Sequence, residues 1–247
     1  RGEEPFSREP PGYPFDETDV YKVIEGVAYT IKTGREPALE SYVDGLVKKI
    51  EAAQEPDGYL YPARTINPQN PHPWSGRERW QLEKELSHEL YNLGHLFEAA
   101  VAWHEATGKS DLLKVALRAA DLLDRTFGEG KQSTWPGHQI VEMGLAKLYR
   151  VTGEDRYLKL AKFFLDERGP GGSENTQAHR KVTEQTEAVG HAVRAIYMYA
   201  GMADVAALEG TEKYVEAMDR LWENVVGKKL YITGGVGALH DGEAFGK

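Results

Sequence analysis

Four times the chain carries the same punctuation: a threonine or glutamate, a glycine, a few polar residues, then a fresh apolar period. The four stretches are TGREPALESY (33–42), TGKSDLLKVA (107–116), TGEDRYLKLA (152–161) and EGTEKYVEAM (209–218). Glycine suits the place where a helix ends in a left-handed turn, and a following Ser, Asp or Thr suits the cap of the next helix. The pattern therefore predicts helix hairpins, with eight helices at roughly 18–33, 37–54, 88–107, 110–128, 136–152, 154–168, 184–207 and 211–226.

The two members of each pair differ. In the second, LLKVALRAADLLDRTF sets Leu112, Leu113, Ala116, Ala119, Ala120 and Leu123 on one side and Lys114, Arg118, Asp121 and Asp124 mainly opposite. The first members LYNLGHLFEAAVAWHEA and GHAVRAIYMYAGMADVAAL are apolar nearly all round, as helices enclosed by others are. Inner helices alternating with outer ones predict an all-α toroid of helix pairs. A closed ring of six pairs needs twelve helices, so the expectation is one domain over 1–247 that stops short of its last helices. The stretches 54–80 and 168–181, rich in Gly, Pro and polar residues, read as long loops, where function tends to concentrate, and the tail from Leu230 reads as β-like before turning glycine-rich.

Composition excludes several classes. A formal charge of −9 argues against a surface that neutralises nucleic-acid phosphates, and neutral polar substrates fit better. No apolar run approaches the roughly 20 residues that cross a bilayer, and RGEEPFSREPPGYPF has no apolar signal core. A soluble protein without a membrane partner is expected, cytoplasmic or exported, and a homo-oligomer is compatible with it. The chain has no cysteine, so disulfides, thiolate metal sites and a cysteine nucleophile have no residues here. Walker, GxSxG and GxGxxG motifs are absent too.

The chemistry candidates are histidines near the starts of inner helices. His95 stands eight residues after Ser87, His191 eight after Thr183, and His138 four after Thr134, each a plausible cap residue. Those offsets place the rings one or two turns from helix N-termini that open on one rim, so three imidazoles are expected to line one pocket. The competing reading is three separate core histidines. Gln139 and Glu142 accompany His138, and Glu184 and Glu187 precede His191, Glu187 by one helical turn. The His88 to His95 spacing is not that of a zinc helix motif, and no metal site is assigned to these residues. Glu243, in GGVGALHDGEAFG, is a candidate general acid on a glycine-rich loop, the alternative being a solvated loop carboxylate. Tyr59, Tyr61 and Trp80 are sugar-stacking candidates or loop anchors.

The segments DVYKVIEGVAY, AAQEPDGYL, SHELYNLGHLFEAAVAWHEATGK, GHQIVEMGLAKLYRVTGEDRYLKLAKFFLDERG, TEQTEAVGHAVRAIYMYAGMADVA and YITGGVGALHDGEAFG resemble the bacterial β-L-arabinofuranosidases of glycoside hydrolase family 127. The resemblance runs from about Asp19 to Gly246. It implies an (α/α)6 barrel, normally followed by β-sandwich regions, and a retaining hydrolase that releases terminal β-L-arabinofuranose from plant-type glycans. It implies sugar contacts at His95, His138 and His191, and an acid/base glutamate in a Gly-Glu-x-Phe motif, here Glu243. It also implies zinc, held by one glutamate and three cysteines of which one is the nucleophile. The motif that starts this set should follow Glu243 by about a dozen residues, whereas the sequence ends at Lys247. The chain as given is therefore expected to be inactive. Two alternatives stay open: a sugar epimerase or isomerase of the N-acylglucosamine 2-epimerase type, and a non-catalytic helical-repeat binding scaffold.

Overall fold

The computed structural model describes residues 12–246. Its helices are α1 (Glu17–Thr33), α2 (Pro37–Ala53), the single turn α3 (Pro62–Thr65), α4 (Glu89–Thr107), α5 (Asp111–Thr126), α6 (Val141–Thr152), α7 (Asp155–Glu167), α8 (Ala192–Glu209) and α9 (Glu212–Asn224). They alternate between two layers. The inner row α1, α4, α6 and α8 pack side by side in that order, and α2, α5, α7 and α9 back them from outside. The patterning explains the choice. Every residue of α4 from Glu89 to Trp103 is buried, whereas α5 buries one stripe, Leu112, Leu113, Val115, Ala116, Ala119, Ala120 and Leu123.

Glycines end three inner helices as expected. Gly108, Gly153 and Gly210 take φ of 73°, 73° and 70°, and each N–H returns to a carbonyl of the last turn. Gly34 departs from the pattern, being extended at φ −170°, and α2 starts instead on the preset ring of Pro37. The inner helices approach closely where they lack side chains. A Cβ added to Gly94 would lie 2.6 Å from Ile140 Cγ2, and one on Gly144 would lie 2.8 Å from Phe97 Cβ.

Two helix starts differ from expectation. α6 begins at Val141 rather than near 136, because the preceding chain is pinned in a non-helical path. Gly137 N donates to Glu83 O at 2.9 Å, and the Ile140 N–H donates to the Glu142 carboxylate at 3.1 Å. α8 begins at Ala192 rather than near 184; a 3-10 turn at Val182–Glu184 ends, and Gly190 at φ 71° passes so close to Glu174 that no Cβ fits. The tail forms no strand among the described residues. It continues from α9 through the π turn Val225–Lys229 into irregular chain, whose one ladder contact is an isolated antiparallel bridge between Ala244 and His191. None of the helices in the described residues is long and apolar enough to cross a membrane.

Gly94→Ala should lower stability by about 1–3 kcal/mol through overpacking of the α4–α6 crossing. Gly45→Ala, on the exposed side of α2 with nothing within 4 Å, should raise it by about 0.5–1 kcal/mol. Thermal unfolding of the two variants checks this, and an undiminished Gly94→Ala protein contradicts the close crossing.

Candidate active site

The rings do converge, by routes other than equal offsets from caps. His88 is itself the residue before α4, in the left-handed region at φ 58°. His95 lies on the second turn of α4 with Tyr91 four residues earlier on the same face. His138 stands in the irregular segment before α6, and His191 is the cap of α8, its ring accepting the Arg194 N–H at 3.4 Å. Ring centroids separate His88 and His138 by 5.7 Å, His138 and His191 by 5.5 Å, Tyr91 and His95 by 4.6 Å, and Tyr91 and His138 by 4.4 Å. Tyr197 of α8 closes the group, 5.9 Å from His95 and 5.8 Å from His138.

Glu243 reaches the group from the tail. The Asp241–Glu243 turn places Gly242 at φ 65° and Glu243 at φ 50°, and Phe245 is buried among Ala188, Ala192, Ala195 and Val225. The Phe245 N–H donates to Gly190 O at 2.9 Å, which fixes the turn against the start of α8. The Glu243 carboxylate, three-quarters exposed, then meets His191 Nε2 at 2.6 Å. The motif's glycine and phenylalanine thus serve as turn and anchor, and its glutamate as the group that meets His191.

The hydrogen bonds assign tautomers. His191 Nδ1 accepts from a backbone N–H, so its proton sits on Nε2 and faces Glu243. His138 Nδ1 lies 2.9 Å from the Gln139 carbonyl, which only accepts, so its proton sits on Nδ1 and its Nε2 is an acceptor. His138 therefore offers an acceptor suited to a hydroxyl group, while the one N–H of the neighbouring His191 ring is engaged by Glu243. His95 keeps both ring nitrogens buried with no partner among the described residues, as does Nδ1 of His88. Buried polar atoms of this kind normally find partners. Burial lowers the histidines' affinity for protons: His88 is brought down to about 4, His95 to about 3, and His138 well below the ordinary range. His191 is lowered too, by burial first and then by the Arg194 charge, with Glu243 opposing.

Other candidates lie apart from this group. Gln139 is buried and donates to Gln177 Oε1 at 3.0 Å, so it joins two loops rather than lining the site. Glu142 stands 3.6 Å from the buried Arg168 guanidinium, and Arg168 also donates to Thr176 O and Pro136 O. Glu187 lies ahead of α8 rather than a turn below His191, and pairs with Lys229 at 3.0 Å. Glu184 belongs to the 3-10 turn. Tyr59, Tyr61 and Trp80 are buried loop anchors, not stacking surfaces. Tyr59 OH and Trp80 N donate to Glu89, and Tyr61 OH donates to Ser87 O at 2.6 Å. Missing from the sequence expectations were His88, Tyr91, Arg194 and Tyr197. Only Tyr91, four residues before His95, carried a usable spacing signal.

No group of three or more His, Cys, Asp or Glu side chains able to hold a metal ion occurs among the described residues. With no cysteine in the sequence, the residues present do not fit a zinc centre of one glutamate and three cysteines.

The chain matches known proteins along nearly its whole length. The profile described as beta-L-arabinofuranosidase, GH127 catalytic domain, matches residues 3–247. A non-reducing end beta-L-arabinofuranosidase of Bifidobacterium longum subsp. longum is 38% identical over 259 aligned residues, which cover 95% of this chain and 39% of the relative. A solved GH127 beta-arabinofuranosidase superposes with a TM-score of 0.94 at 53% identity, covering 99% of this chain and 39% of that one. A GH127 beta-L-arabinofuranosidase from Geobacillus stearothermophilus T6 gives 0.89 at 42% identity, covering 97% and 40%. The chain thus spans about two fifths of the length of these relatives. Its two layers of helices are part of an (α/α)6 barrel.

The buried imidazoles set a pH dependence. The unfolded chain protonates His88 near the ordinary value of about 6.5, whereas the folded state waits until about 4. Its share of stability is whole above pH 6.5 and is lost as pH falls from there toward 4, on the order of 1 kcal/mol per pH unit. His88→Asn, which tolerates the left-handed backbone, should lose less stability over that window in denaturant titrations. An unchanged slope contradicts a neutral, buried His88.

Proposed function

Starting from glycoside hydrolase family 127, to which this chain belongs, we propose that its imidazole group holds the terminal β-L-arabinofuranosyl unit of a plant-type glycan for retaining hydrolysis. The observation that carries this reading is the 2.6 Å contact between Glu243 and His191, at the end of a row of neutral rings offering both donors and acceptors. Family membership favours this over the epimerase and scaffold alternatives.

In the proposed reaction Glu243 is the proton carrier. It gives its proton to the departing glycosidic oxygen and later draws one from water, the two halves of acid/base work in a retaining scheme. His191 Nε2–H orients the carboxylate. His95 and His138 hydrogen-bond the sugar hydroxyls, His138 through its acceptor Nε2 and His95 through either nitrogen. Being neutral, these rings add no positive charge of their own beside Glu243. The nucleophile and the zinc set that the resemblance implies have no counterpart in this sequence, so no step is drawn through them. The reading assigns them to other residues of the intact protein and expects the 247-residue chain alone to be inactive.

In the intact protein, Glu243→Gln should reduce turnover of a methyl β-L-arabinofuranoside by about 10²–10⁴-fold while calorimetry still detects L-arabinose binding. Turnover at the unmodified level rejects Glu243 as the proton carrier.

A further inference from the structure

Glu243 sits on a glycine-rich turn with most of its carboxylate in solvent, and one strong cation, Arg194, lies on the helix that it faces. Arg194 is in the first turn of α8, where a positive charge opposes the helix dipole. It is also buried, with Nε unpartnered among the described residues. A free guanidinium here would pair with the carboxylate, since bidentate Arg–carboxylate contacts are the strongest charge-assisted kind. It does not do so. The Arg194 Nη1 group instead donates to the side-chain oxygen of Asn175, in the loop after α7.

Asn175 makes three contacts that meet at the site. Its side-chain oxygen takes Arg194, its Nδ2 donates to Gly242 O at 3.3 Å, and its backbone oxygen accepts the His191 N–H at 3.4 Å. Only one orientation of the amide satisfies both side-chain contacts. One side chain thereby holds the guanidinium and the turn just before Glu243, and leaves the carboxylate to a neutral imidazole.

We propose that Asn175 is a positioning residue that keeps Arg194 from ion-pairing with Glu243, so that Glu243 can carry a proton at the pH of turnover. The proposal rests on the reading of Glu243 as proton carrier only for its kinetic consequence; the charge geometry stands apart from it. The other charged or titratable groups around the turn are His191 on α8, Glu174 beside Asn175, Lys229 and Glu187 behind the tail, and His240 and Asp241 in the turn itself. Lys229 is engaged by Glu187 and by Gly246 O at 2.8 Å. Arg194 is therefore the cation poised to change partner.

In the intact protein, Asn175→Ala should release Arg194 to the carboxylate. The Glu243 carboxyl titration, followed by ¹³C NMR, and the alkaline limb of kcat/KM should both move down by about one pH unit, a tenfold change, the lower end of what an adjacent arginine does to a carboxyl. Adding Arg194→Gln should abolish that fall, and Arg194→Gln alone, which leaves the loop untouched, should move the midpoint up. A carboxyl midpoint unmoved by either single substitution, or a fall that persists in the double variant, overturns the proposal. A carboxyl midpoint that moves as stated while the kinetic limb stays still supports it and rejects Glu243 as proton carrier.

Discussion

The imidazole of His191 stands where the start of α8 meets the tail, alongside the Phe245 and Asn175 contacts that join the same two parts. Through Nδ1 it accepts from the first turn of α8 and so caps that helix. Through Nε2 it receives the Glu243 carboxylate at 2.6 Å. Its backbone pairs with Ala244 in the bridge that lays the tail across the helix end. Because the cap requires a bare Nδ1, the ring is held in one neutral tautomer, and protonation would break the cap. One side chain thus takes part in the helix cap, the loop contact and the protonation state together.

The scaffold makes such a contact tolerable. Loops carry most of the site, and buried charges fix those loops to helices. Arg168 ties 134–140 to 168–178 while standing 3.6 Å from Glu142. Glu83 and Glu89, both buried, gather Ser87, Tyr59 and the N–H groups of Trp80 and Leu90 at the start of α4. Burial pushes both acids above the usual carboxylate range. Removing one partner of such a network leaves an uncompensated polar group and costs about 3–5 kcal/mol for a buried ion pair.

The long helices were legible because periodicity and terminal glycines are local signals. Gly108, Gly153 and Gly210 end their helices for the reason the sequence suggests. The convergence of His95, His138 and His191 was also anticipated, yet from offsets that the structure does not keep. Ser87, Thr134 and Thr183 cap none of these helices. His88 and His191 occupy the cap positions, and capping preferences do not nominate histidine. Glu187 and Gln139 were read from proximity in sequence, whereas their partners Lys229 and Gln177 lie 42 and 38 positions away. Arg194 and Tyr197 were invisible for the same reason, since their roles arise only when loops from three parts of the chain close over α8. The resemblance to the arabinofuranosidases singled out Glu243 without showing how a solvent-facing loop acid is held. Phe245, Gly190 and Asn175 supply that account.

The central claim is that neutral imidazoles from separate elements form one sugar site with Glu243. An imidazole ¹H–¹³C NMR titration of the intact protein with L-arabinose tests it most directly, since the chain has eight histidines on which to read the outcome. The account predicts that the resonances of His95, His138 and His191 shift together along one saturation curve, with His72, His104 and His179 unmoved. Shifts confined to those three outlying rings, or separate curves for the central ones, would contradict it.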